Sequence, residues 1–154
     1  MRRLGTLVAA AGMLASAAAA ENVSASDAAA LAARIMSYGY QAELGKDSSG
    51  DPRIESSASG MSFEILFYGC TNGAACRFIQ FSKCWDREGS FPLETVNTWN
   101  RKKNFGRASV DDEGDPCFDM TVNLDGGGVA DDNLKDTLQR WDRALGGWRD
   151  AMGT

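Results

Sequence analysis

Apolar residues recur in two rhythms along this chain, and each change of rhythm marks a new element. After Ser26 and Asp27, either of which suits a helix cap, Leu31, Ile35 and Tyr38 fall on one face at helical spacing, and Gly39 ends the run. Tyr40, Ala42 and Leu44 then alternate with polar neighbours, which predicts a first strand. A short second strand is expected at residues 53–57. Met61, Phe63, Ile65 and Phe67 oppose Ser62 and Glu64 in the clearest strand, and residues 77–85 return beside it. A second helix follows, with Ser90 as its cap, Pro92 in its first turn, and Leu93, Val96 and Trp99 or Asn100 as its buried stripe.

A strand-turn-strand comes next, ending in the alternation of Phe118, Met120, Val122 and Leu124. Two turns share the pattern D-x-x-G-D-P, at Asp47, Gly50, Asp51 and Pro52 and at Asp111, Gly114, Asp115 and Pro116. In both, the acid accepts from turn amides, glycine permits a positive φ, and proline opens the return strand. Gly126, Gly127 and Gly128 link to a third helix, capped near Asp131. Its stripe of Leu134, Leu138, Trp141, Leu145 and Trp148 steps by fours and threes. Gly146 and Gly147 each cost about 1 kcal/mol relative to alanine in a helix interior, so a bend or fraying is expected there. The order α-β-β-β-β-α-β-β-α predicts an α+β fold, an antiparallel sheet packed with helices.

The first twenty residues follow a different logic. Arg2 and Arg3 precede an uncharged run from Leu4 to Leu14, and Ala18, Ala19 and Ala20 suit a cleavage site. This is the layout of a secretory signal peptide cut after Ala20, too short in its apolar run for a spanning helix, which needs about 20 such residues. A single domain of residues 21–154 remains, with no membrane span. Cleavage removes two of the 16 basic residues and none of the 21 acidic ones, so 14 face 21 and the net charge is −7. An acidic chain without basic clusters argues against nucleic acid as a partner. Arg101, Lys102 and Lys103 sit where a helix C-terminus favours cations.

Cys70, Cys76, Cys84 and Cys117 all lie beyond the leader, and an exported chain uses an even cysteine count for disulfides. Cys70 and Cys76 flank a short hairpin loop. Cys84 and Cys117 share the polar face of their strands, with Ser82 and Asp119 beside them, and form the second pair. The absence of histidine excludes a mixed Cys/His zinc site, and paired CxxC spacing is missing. Asp111, Asp112, Glu113 and Asp115 put glycine at the wrong position for a calcium loop. No serine has a histidine partner, and no carboxylate pair is singled out as acid and base. Neither a catalytic set nor a cofactor is expected.

Val96-Asn97-Thr98-Trp99-Asn100, then Phe105-Gly106-Arg107-Ala108 and the Asp111 turn, resemble the YbjN family of bacterial proteins. Gly39-Tyr40, Gly50-Asp51-Pro52, Phe67-Tyr68-Gly69-Cys70 and Trp141 extend that resemblance over nearly the whole exported part. Ser109 departs from it, standing where the family commonly has a bulky residue. The resemblance implies a fold like the type III secretion chaperones, often paired as a homodimer, and a role in sensory-transduction regulation. An exported chain cannot serve as a cytoplasmic secretion chaperone, so only fold and binding style carry over.

The expectation is therefore a non-catalytic periplasmic or secreted module that binds a protein or peptide through a sheet edge or a helix groove. Asn97, Trp99, Asn100 and Arg107 are the candidate binding residues. Against this stands a simpler account, in which asparagines bond backbone at a helix end and Trp99 fills the core. The alternative from another class is a small-molecule receptor or weak enzyme with a cleft near Asn97, Trp99 and Arg107.

Overall fold

The computed structural model describes residues 22–153; the expected leader and its cleavage after Ala20 lie outside the described residues. β1 (Asn22–Val23) leads into α1 (Ala28–Ser37), where Asp27 is the cap and its carboxylate accepts from the Ala30 amide at 3.0 Å. β2 (Glu43–Lys46), β3 (Pro52–Ala58), β4 (Met61–Tyr68) and β5 (Phe78–Cys84) follow as a meander. α2 (Leu93–Lys102) separates them from β6 (Arg107–Val110) and β7 (Pro116–Asn123). β8 (Val129–Ala130) then enters α3 (Asp131–Met152).

Six strands form one antiparallel sheet in the order β2-β3-β4-β5-β7-β6, while β1 and β8 pair separately. The fold is α+β, as the alternating periods require; the two-residue β1–β8 pair is too short to leave a periodic trace. The two D-x-x-G-D-P turns make the same bonds. Asp47 Oδ1 accepts from the amides of Ser49 and Asp51 at 2.8 and 3.0 Å, and Asp111 Oδ1 from those of Glu113 and Asp115 at 3.0 and 2.9 Å. In each, the glycine amide donates to the first aspartate's carbonyl at 3.1 Å, with φ 88° at Gly50 and 93° at Gly114.

One sheet face carries Ile54, Ala58, Phe63, Ile65, Phe67, Ile79, Phe81 and Phe118, all buried beneath the helices. At its centre the Phe118 ring stacks between Trp141, 5.4 Å away, and Trp148, 5.8 Å away. Such ring pairs add about 0.5–1.5 kcal/mol each beyond the area they bury. Among the described residues no helix covers the other sheet face. There Arg53 bridges Glu55 and Glu64, Arg107 pairs with Asp119 at 2.9 Å, and Tyr68 stacks on Phe78 at 5.3 Å. The Cys84–Cys117 disulfide lies on that face between directly paired residues, with Ser109 opposite Cys117; Cys70–Cys76 closes the β4–β5 hairpin.

Three local expectations are corrected. Ser90 does not cap α2, whose first residue follows Pro92 with no side-chain cap. Instead the Phe91 amide donates to the Gly114 carbonyl at 3.0 Å, so this segment is drawn onto the Asp111 turn. Phe91 is thereby buried against Trp148, and Leu93 is turned out, 63% exposed. Asp131 begins α3 without capping it, because its carboxylate is taken by the Tyr38 hydroxyl at 2.6 Å and by Arg34 at 3.1 Å. Finally, α3 runs unbroken through Gly146 and Gly147. Neighbours occupy the space their side chains would need: a β-carbon at Gly146 would lie 3.0 Å from Ser59 Oγ, and one at Gly147 3.3 Å from the Trp99 ring.

Candidate functional site

The segment from Val96 to Ala108 joins the end of α2 to the edge strand β6, and its side chains first fasten the two together. Trp99 is buried at 6% exposure, and its indole N–H donates to the Gly106 carbonyl at 3.2 Å. Its ring meets Phe118 edge-on at 5.3 Å and Trp148 at 5.5 Å. The Asn100 side chain donates from Nδ2 to the Ala108 carbonyl at 3.0 Å and accepts the Ala108 amide at Oδ1 at 2.9 Å. Gly106, at φ 74°, lies on the Phe118 ring so closely that a β-carbon there would overlap it. The segment is thus a clasp, and it fixes where α2 stands against α3.

Two adjoining cavities lie between those helices. One of about 400 Å³ is lined by Glu94, Thr95, Thr98, Trp99, Lys102, Lys103, Gly147 and Ala151. The other, of about 220 Å³, shares Trp99, Lys103 and Gly147 and adds Phe105, Arg140, Arg143 and Ala144 among its walls. Together they form one trough open to solvent. Ala144, Gly147 and Ala151 recur at helical spacing and, with the Trp99 ring, make an apolar floor. Phe105 is 45% exposed at one end, under the Arg140 guanidinium at 4.8 Å. The rim is cationic, with Lys103 Nζ 5.5 Å above the Trp99 ring.

The sequence-derived candidates are not brought together. Trp99 lines the trough; Arg107 lines a separate cavity of about 360 Å³ with Gln80, Asp119 and Thr121, and Asn97 lines neither. Asn100 spends its amide on Ala108. Sequence reasoning missed Phe105, Arg140, Arg143, Ala144, Gly147 and Ala151. The one available signal was Gly147, a helix-interior glycine that suggests close packing of something against it.

Three tyrosine hydroxyls have raised pKa values. Burial, reinforced by the Asp131 carboxylate, pushes the Tyr38 hydroxyl far above its ordinary range. Burial and Asp142 raise Tyr40, whose hydroxyl donates to that carboxylate at 3.3 Å. Tyr68 is raised by burial and by nearby carboxylates, Asp119 first among them. Each shift keeps a phenol neutral and so favours structure over proton transfer. Cys84, Cys117 and Asp111 cluster within 4.8 Å, yet the two sulfurs are bonded to each other and present no thiolates to a metal. Among the described residues no helix is long and apolar enough to cross a membrane.

The profile of the YbjN family, described as "Putative bacterial sensory transduction regulator", matches residues 27–154. No curated protein matches the chain.

Proposed function

The chain belongs to the YbjN family, and on that premise we propose that it is an exported, non-catalytic regulatory module that works by binding a protein or peptide. The observation that carries this reading is the trough between α2 and α3: an apolar floor over Trp99 with charged walls, held rigid by the clasp and lacking a nucleophile with its base. Rigid apolar surface rimmed by charge suits recognition, because little ordering entropy is spent when a partner docks. The family's description as regulators favours binding over catalysis.

Export to the periplasm or beyond is supported by the signal-peptide pattern of residues 1–20 and by the pairing of all four cysteines. A second surface is the edge strand β2, exposed at every residue from Glu43 to Lys46. Its unpaired backbone groups would take a strand from a partner or from a second copy, the route to a homodimer.

The test is capture from native envelope extract with the oxidised protein as bait and a reduced, alkylated control. One dominant partner lost on reduction supports a binding module. With no protein partner, weight moves to the small-molecule reading, which the cavity of about 400 Å³ favours because it matches the size of ligand pockets. A metabolite screen by melting temperature then decides it, since a ligand that binds the native state raises Tm.

A further inference from the structure

We propose that the α2–α3 trough takes an acidic segment of the partner protein, with one apolar side chain of that segment seated over Trp99. This rests on the reading of the chain as a binding module and names the chemistry of what it binds. The whole chain carries a formal charge of −5, yet the trough is lined by Lys102, Lys103, Arg140 and Arg143 against the single carboxylate of Glu94. Glu94 is itself engaged, accepting from the Thr98 hydroxyl at 3.2 Å and facing Arg101 at 4.0 Å.

Two of the four trough cations, Lys102 and Arg143, have no acid partner among the described residues, whereas most arginines do. Arg53, Arg77 and Arg107 are each paired with an acid. Arg87 lies over Phe91 and Arg140 is held by Asp136. Among the described residues Arg143 is paired with no carboxylate, although its charge acts on the nearby Tyr40 phenol. Lys102 likewise has no acid partner. Unpaired cations flanking an apolar floor attract anions and steer their approach over about 10 Å at 0.1 M salt.

The form of the trough selects among anions. It is open to solvent, so a free fatty acid would leave most of its chain wet, whereas good small-molecule sites bury most of the ligand. A peptide needs to bury only its anchor there, the rest of the partner covering the rim. A nucleic acid would meet the net negative charge of the whole chain beyond these few cations.

The experiment is a titration of the ¹⁵N-labelled, oxidised protein, followed by NMR. The probe is a short peptide of glutamates around a central Trp-Leu pair; lysine-for-glutamate peptide, dodecanoate and inorganic sulfate are the controls. The expected result is saturable shifts at the Trp99 indole and at the Ala144, Gly147 and Ala151 amides with the acidic peptide alone. Its Kd weakens about tenfold in Lys102→Glu/Arg143→Glu, whose two sites are exposed, and is unchanged in Lys135→Glu. Shifts elsewhere, equal binding of the lysine peptide, indifference to the double charge reversal, or the same footprint from dodecanoate without a peptide response would each overturn the proposal. A partner captured equally well by the double variant would also overturn it, while leaving the binding-module reading intact.

Discussion

The side-chain amide of Asn100 stands in for a neighbouring strand beside Ala108: it donates to the carbonyl at 3.0 Å and accepts the amide at 2.9 Å, filling both outward-facing backbone positions of that residue in β6. An edge strand with free groups invites pairing with another chain. Here α2 closes the β6 edge with its own side chain, whereas the β2 edge at the far side of the sheet stays exposed.

Asn100→Asp tests this pairing. The carboxylate keeps an acceptor for the Ala108 amide but faces the Ala108 carbonyl without a donor. A loss of about 1–3 kcal/mol is expected, read by urea denaturation, with faster hydrogen exchange at Ala108. Unchanged exchange would mean that the edge is closed by something else.

Gly106→Ala is expected to cost far more than Gly126→Ala. The new methyl would collide with Phe118 at the centre of the aromatic cluster, and the backbone is already at positive φ. At Gly126 the φ is also positive but open space surrounds the position, so Gly126→Ala isolates the backbone cost alone, about 1–2 kcal/mol. Thermal denaturation of the two variants should separate steric overlap from conformational strain. Equal losses would contradict the seating of Gly106 on Phe118.

How much of this was legible in the sequence depends on the distance over which each feature is determined. The strand at Met61–Tyr68 and the stripe on α3 depend on local alternation, and both turns depend on six residues each. The exposure of Leu93 and the engagement of Asp131 were not legible. Each is decided by a residue from another element, Gly114 drawing in Phe91 and Tyr38 claiming the carboxylate. The trough was hidden for the same reason: Trp99 and Gly147 are 48 positions apart, and neither the meeting of their helices nor the gathering of cations there has a periodic signature.

Trp141→Ala should cost about 3–5 kcal/mol, the range for emptying a buried aromatic site. Trp141 is fully buried and touches the rings of Phe63, Phe81 and Phe118. Its indole N–H has no acceptor among the described residues, so Trp141→Phe removes a buried unsatisfied group and should cost much less. Urea midpoints for the two variants give the comparison. A wild-type midpoint in Trp141→Ala would show that the tryptophan is not part of the core.

Losing either disulfide should destabilise the protein, and the one that closes the longer loop should cost more. Cys84 and Cys117 are 33 positions apart and Cys70 and Cys76 only 6, which on the chain-entropy account corresponds to about 4 and about 2 kcal/mol. Cys84→Ala/Cys117→Ala is therefore expected to lower Tm more than Cys70→Ala/Cys76→Ala. The reverse order would place the weight on local hairpin geometry.

Alkaline pH should loosen the seam between α1 and α3. The raised Tyr38 hydroxyl and an unfolded tyrosine both keep their proton below about pH 10. Above that the unfolded chain releases it first, so the unfolded state binds fewer protons and stability falls as pH rises towards the folded value. Tm should decline from about pH 10, less steeply in Tyr38→Phe. Equal slopes would remove Tyr38 from the account.

The central claim is that the partner sits in the α2–α3 trough, and photo-crosslinking in intact cells tests it most directly. A photoreactive residue is placed in turn at Glu94 on the trough rim, Leu44 on the β2 edge and Thr121 on the sheet face away from the helices, all three exposed. The account predicts a discrete protein adduct from position 94 that the Arg143→Glu variant loses. Adducts from position 44 or 121 with none from position 94 would contradict it.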